Sequence, residues 1–180
     1  INDATINDAP VVVKMGGICG WIYFGTIFNC ANKGKVTVNT NNNIWDEILG
    51  GIVGHCWGTS KKEGIINCYN SGRIYSVNSD NTNIGGIVGM YSYNSAAEQV
   101  PKFVNTVNNY NQILSFGTLD QSVATNTRNN YYKKDGNYYL YESSNAYDIN
   151  SVINTLNAYS NTNGYLKWQE DDGNIIFSGN

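Results

Sequence analysis

Hydrophobic positions along this chain come in short bursts and not in long stripes. Apolar runs of a few residues, rich in Ile, Val, Tyr and Cys, are punctuated by Gly, Asn and Ser. That is the pattern of short strands and turns. No stretch before about residue 146 carries a helical period. The bursts also recur. Residues 16–20 read Gly-Gly-Ile-Cys-Gly, and residues 50–54 and 85–89 both read Gly-Gly-Ile-Val-Gly. A second block follows each of the first two. Ile27-Phe28-Asn29-Cys30-Ala31-Asn32-Lys33-Gly34-Lys35-Val36 returns as Ile65-Ile66-Asn67-Cys68-Tyr69-Asn70-Ser71-Gly72-Arg73-Ile74. A third copy is read at Val107-Asn108-Asn109-Tyr110-Asn111, and a fourth remnant at Thr127-Arg128-Asn129-Asn130-Tyr131-Tyr132.

A repeat of this length that cannot bury its own apolar face must stack on its neighbours. The pattern predicts an all-β fold: a right-handed parallel β-solenoid of about three coils, each with three short strands. In the first copy these strands are Ile18–Gly20, Ile27–Ala31 and Lys35–Val38. The paired glycines are expected at a corner, where they allow positive φ, with Gly34 and Gly72 at another. Equivalent residues of stacked coils lie above one another. One ladder is therefore expected from Asn29, Asn67 and Asn108, and a second from Asn32, Asn70 and Asn111. Cys30 and Cys68 stack as small interior residues, with Asn109 taking that place in the third coil. The segments Asn39–Leu49, His55–Glu63, Ser76–Thr82 and Met90–Lys102 are expected as variable loops, where binding usually resides. Trp45, Trp57, Tyr91 and Tyr93 are the candidate binding-loop residues, able to stack on sugar rings or to close the ends of the core.

The Gly-Gly-Ile-Val-Gly block, followed by Ile-x-Asn-Cys-Tyr-Asn-x-Gly-x-Ile, resembles the GLUG repeat family over roughly residues 15–115. That family occurs in large secreted and surface proteins of bacteria and some anaerobic protists, and in the non-catalytic part of immunoglobulin A-cleaving metalloproteases. The resemblance implies an extracellular β-solenoid and no single activity. The third copy departs from the family pattern, lacking both its Cys and its Gly.

From about residue 146 the grammar changes. Apolar residues at 149, 152, 153, 156 and 159 have helical spacing, and Asp148 is placed to cap the helix. Asp172-Gly173 between Tyr165–Glu170 and Ile175–Phe177 is a hairpin signal. Helix and hairpin are expected to cap the last coil. The chain thus divides into an entry strand or linker (1–14), the repeat domain (15–145) and the cap (146–180). No cap is evident at the N-terminal coil, so further coils or further copies are expected there. The opening Ile1-Asn2-Asp3-Ala4 has neither a signal-peptide pattern nor an initiator Met, as expected of a mature product or a cut-out segment.

Composition narrows the function. Charged residues make up 14% and the net charge is −3, so the surface draws its polarity from uncharged groups, above all 30 asparagines. Without a basic excess, nucleic acid is not an expected partner, and no apolar run is long enough for membrane insertion by a helix. No Asn-x-Ser/Thr sequon occurs despite that Asn content, which fits an organism without N-glycosylation.

Candidate chemistry is sparse. Cys19, Cys30, Cys56 and Cys68 lie in apolar segments and suit small buried thiols, with a disulfide or a metal site as alternatives. His55, the sole histidine, is expected in a solvent-facing loop. Asp46, Glu47, Glu63, Asp80, Glu98 and Asp120 do not recur in the repeat and are placed outside its strands. Glu170-Asp171-Asp172 suits a solvated turn, or calcium less well. No catalytic, cofactor-binding or metal residues are assigned. The reading that follows is a non-enzymatic extracellular segment for adhesion, stalk-building or assembly. Its partners would be a host or neighbouring-cell surface protein or glycan, or further copies or coils of its own protein. The alternative is an accessory substrate-binding domain of a large secreted protease or glycan-active enzyme.

Overall fold

A computed structural model describes residues 4–6, 12–23, 25–39, 46–58, 64–77, 82–93, 102–110, 116–118, 127–141 and 143–179. The described chain is mostly β. Strand β1 (Ala4–Ile6) is followed by β2 (Val12–Gly16), β3 (Cys19–Ile22), β4 (Thr26–Phe28), β5 (Ala31–Asn32) and β6 (Val36–Val38). The second repeat supplies β7 (Asp46–Gly50), β8 (Val53–Gly58), β9 (Gly64–Asn70) and β10 (Ile74–Ser76). The third supplies β11 (Thr82–Gly85), β12 (Val88–Tyr93) and β13 (Lys102–Asn108). Then come β14 (Phe116–Thr118), β15 (Thr127–Lys134), β16 (Asn137–Leu140) and β17 (Ala146–Tyr147). Helix α1 (Ile149–Asn163) and the hairpin of β18 (Trp168–Asp171) and β19 (Asn174–Phe177) end the described chain.

Each repeat lies on the next, strand for strand. β2, β7 and β11 form one parallel sheet, β3, β8, β12 and β14 a second, and β1, β6 and β10 a third. The fourth places β4, β9, β13 and β15 in parallel order and continues antiparallel through β16 and β17. We call the strands of one repeat a tier. The side missing from the sequence-based expectation is that of β2, β7 and β11. Asp46–Gly50 is strand, not loop, and so are Val53–Gly58 and Val88–Tyr93. In β8 the alternation admits His55 on the face opposite inward Cys56, whereas Glu47 of β7 is in phase with Leu49 and aligned with Val13, on the inward side, and is fully buried. Ile22, Cys56 and Tyr91, aligned across β3, β8 and β12, pack in the core with Ile52, Ile65 and Phe103.

The paired glycines turn the chain between two sheets as expected, but for a different reason. Those of the second and third blocks take no positive φ. They are needed for space. A Cβ on Gly51 would stand 2.0 Å from the Gly86 carbonyl oxygen and 2.4 Å from Cγ of Asn70; one on Gly17 would stand 2.3 Å from the Gly51 oxygen. The left-handed conformation falls on asparagine instead. Asn29, Asn67, Asn105 and Asn129 have φ of 54°, 53°, 60° and 54°. Asn tolerates this region better than other side chains because its amide bonds locally.

The helix follows the sequence signals. Asp148 accepts a hydrogen bond from Ser151 N at 3.0 Å, and Gly164 closes the C-terminus at φ 70°. Asp172 and Gly173, both at positive φ, make the hairpin turn. Their position differs from the expectation. β16 and β17 cover the open edge of β15, while α1 and the β18–β19 hairpin lie alongside the tiers. Val152, Leu156, Trp168 and Phe177 pack there against Tyr69 and Val107. These two tyrosine- and valine-bearing positions point out of the first core, which leaves a second apolar face for the C-terminal segment to cover.

Candidate functional site

The asparagine at the left-handed position of the first three tiers forms one ladder. Asn67 Nδ2 donates to Asn29 Oδ1 at 2.7 Å, and Asn105 Nδ2 donates to Asn67 Oδ1 at 2.6 Å. The second ladder runs the other way: Asn32 Nδ2 donates to Asn70 Oδ1 at 2.9 Å, and Asn70 Nδ2 to Asn108 Oδ1 at 3.1 Å. Each amide of the second ladder also clasps the backbone two residues on. Gly34 N donates to Asn32 Oδ1 and Asn32 Nδ2 to Gly34 O; Asn70 does the same with Gly72. The clasp uses only the backbone of its partner residue, and Tyr110 serves Asn108 in the same way; glycine is required at 72 because a Cβ there would collide with the Gly34 carbonyl oxygen.

The expected register therefore holds for Asn29–Asn67 and Asn32–Asn70 and shifts by three residues in the third tier. Asn108 stands on Asn70, not on Asn67, and Asn105 takes the place assigned to Asn108. Asn111 lies outside the described residues. Thr106, not Asn109, occupies the cysteine position, paired with Cys68 on one side and Asn130 on the other. Its hydroxyl donates to Asn130 Oδ1 at 2.8 Å. Asn109 instead holds the hairpin, giving a 2.8 Å bond to Ile175 O and accepting one from Ile175 N. All four cysteines are free thiols. Cys30 and Cys68 are neighbours in adjacent tiers, each thiol donating to the carbonyl two residues back, Phe28 O and Ile66 O; burial, then Cys30, pushes the Cys68 thiol up, while the neighbouring Cys68 lowers Cys30 to about 7.

The outward side of the β3–β8–β12 sheet carries an aromatic cluster. Trp21 and Tyr23 alternate with inward Ile22, as His55 and Trp57 do with Cys56. Trp21 lies across from His55 in register, and their rings are parallel within 5° at 5.9 Å between centroids. The Lys14 ammonium sits 4.0 Å from the Trp21 ring centroid. Tyr23 stacks on Trp57 at 6.4 Å. Trp21 thus has a cation and an imidazole against it and remains half exposed, so the cluster presents aromatic surface beside a positive charge.

His55 is a buried member of this strand, not a solvent-facing loop residue; it is 3% exposed. Its Nε2 lies 2.8 Å from Ser92 Oγ, and Nδ1 is buried without a partner among the described residues. Burial first, and the Lys14 charge second, lower its pKa from 6.5 to about 4, so the ring is neutral at physiological pH.

Of the sequence-predicted binding residues, Trp57 belongs to this cluster. Tyr91 is a core residue, 1% exposed and edge-on to Phe103, because it falls on the inward alternation of β12. Tyr93 ends β12, and Trp45 lies outside the described residues. Sequence reasoning leaves out Trp21, Tyr23 and Lys14 and places His55 in a loop, although the matching alternations Trp21-Ile22-Tyr23 and His55-Cys56-Trp57 carry the signal. Among the acids, Asp46 and Glu47 lie on β7, where Glu47 is buried, and not in a loop. The Glu170 carboxylate accepts from Gly173 N and so serves the hairpin turn. Among the described residues no group of three His, Cys, Asp or Glu could hold a metal ion. No helix there is long and apolar enough to cross a membrane. No family model, no curated protein and no solved structure matches this chain.

Proposed function

We propose that this chain is a non-enzymatic extracellular β-solenoid segment, of GLUG-repeat type, of a cell-surface or secreted protein, acting in adhesion or as a stalk or assembly unit. The observation that supports this is the parallel pairing of successive repeats, in which the repeated Asn and Gly residues are used up in stacking. Each repeated amide bonds to its neighbour tier or to its own turn. What the repeat builds is a regular body, and contact with a partner falls to residues that do not repeat. The aromatic cluster around Trp21 and Trp57 is such a set: exposed aromatic side chains held on a sheet are low-entropy contact groups.

Beads coated with the whole chain test this on cell monolayers under flow. Retention above albumin-coated beads is expected, and it should fall several-fold for Trp57→Ala. Mass spectrometry of the medium should find no released saccharide or peptide. Release of fragments that stops when a pair of carboxylates is replaced would refute the non-enzymatic reading.

A further inference from the structure

The first tier presents, toward its N-terminal side, a surface built as an interior one. Ile18 is 44% exposed, whereas Ile52 and Ile87, which occupy the same place in the next two tiers, are fully buried. Cys19 is half-buried where its register partners Val53 and Val88 are buried, and Ile27 where Ile65 and Phe103 are. These residues have core chemistry and lack one neighbour. β2, β3 and β4 are the outer strands of their sheets among the described residues.

The polar groups of this face match a specific occupant. Asn29 Oδ1 accepts from Asn67 Nδ2 and Leu166 N, while its own Nδ2 has no partner among the described residues. Asn32 Nδ2 is used by Gly34 and Asn70, while its Oδ1 takes only Gly34 N. The first ladder therefore ends on a donor and the second on an acceptor. A preceding tier with Asn at both positions, in the same direction, supplies an Oδ1 to the first and an Nδ2 to the second. A two-fold copy facing this surface with its axis through either ladder would oppose donor to donor or acceptor to acceptor. A second copy stacked in the same direction would bring its β15 edge, which β16 already covers. In addition, β1 pairs with β6 in the register with which β10 does from the other side: Ala4 and Ile74 both align with Val36. One strand of a preceding tier is thus already in place.

We infer that the N-terminal face is a docking surface for three further parallel strands of the same repeat, joined ahead of β1 and carrying the two ladder asparagines. This rests on the stacked-repeat reading above. The test adds residues 46–73 of this chain directly before Ala4, so that β1 follows the added strands as β10 follows β9. Reaction of Cys19 and Cys30 with Ellman's reagent should slow by about tenfold or more, as for groups that must await local opening. Asn67→Ala with Asn70→Ala in the added copy alone should remove that protection. Should the extended chain not fold, the peptide 64–77 with Cys68→Ser, added at millimolar concentration to the unextended chain, should protect Cys30. Unchanged thiol rates in both formats overturn the inference. So does protection of the unextended chain that grows with its own concentration alongside a doubled mass. Where the thiol rates are unchanged and Asn67→Ala in the unextended chain nonetheless destabilises strongly, the inference alone has failed and the stacked-repeat reading stands.

Discussion

Replacing Asn67 by Ala tests the centre of the fold. This side chain is fully buried and holds five hydrogen bonds. Its Nδ2 donates to Asn29 Oδ1 and to Leu166 O; its Oδ1 accepts from Asn105 Nδ2, Ser160 Oγ and Trp168 Nε1, the last at 2.8 Å. Trp168 Nε1 and Asn105 Nδ2 keep bonds of 3.2 Å to Ser160 Oγ, so they are weakened and not orphaned. At roughly 1 kcal/mol net per buried bond, with the two weakened bonds counted at about half, the amide contributes about 4 kcal/mol. Ala at φ 53° adds about 1 kcal/mol of backbone strain. The expected loss is about 5 kcal/mol, a large part of a typical total stability. Asn67→Gly removes the same bonds without the strain and should cost about 1 kcal/mol less. Asn29→Ala, at the same φ but half-buried with two side-chain bonds, should cost about 2 kcal/mol. Guanidinium unfolding with m-values held equal measures all three. Equal losses for Asn29→Ala and Asn67→Ala would refute the reasoning, since the two share a backbone state and differ in bonding.

Two other predictions use different physics. Gly51→Ala should cost more than about 3 kcal/mol, because its Cβ meets backbone and a ladder amide, whereas Gly136→Ala, with nothing within 4 Å, should cost about 1 kcal/mol from its φ alone; thermal melts compare them. His55 has a folded pKa below its unfolded one, so the folded state binds fewer protons. Its contribution is complete above about 6.5 and lost as pH falls toward about 4. The loss is on the order of 2 kcal/mol after allowing for the exposed side of Trp21, and His55→Gln, read by denaturant midpoints at pH 7 and pH 4, should flatten that difference.

Local features were legible from residues alone, and nonlocal placement was not. Asp148 and Asp172-Gly173 act on their own backbone, and the helix start and the hairpin turn lie where these residues put them. That the pair packs beside the tiers depends on Tyr69 and Val107, distant in sequence. The third-tier register failed because Thr106 replaces the cysteine that marks the block, and the surrounding Asn residues offer several alignments. The spacing itself held the answer: Asn29 to Asn67 is 38 residues, and the same step reaches Asn105. β7 was missed because Asp46 and Glu47 read as loop, while a strand with buried Glu47 needs the tiers around it. The aromatic cluster likewise required knowing that Trp21 and His55 are neighbours.

The C-terminal segment changes how such a stack comes apart. An array in which each repeat touches only its neighbours frays from its ends, one unit at a time. Here residues 156–168 bond to the first, second and third tiers at once, through Asn29, Asn67 and Asn105. Losing an end tier therefore also strains bonds to tiers beyond it. Such long-range ties turn stepwise fraying into a single cooperative transition, so coincident unfolding curves from fluorescence and circular dichroism are the expected signature.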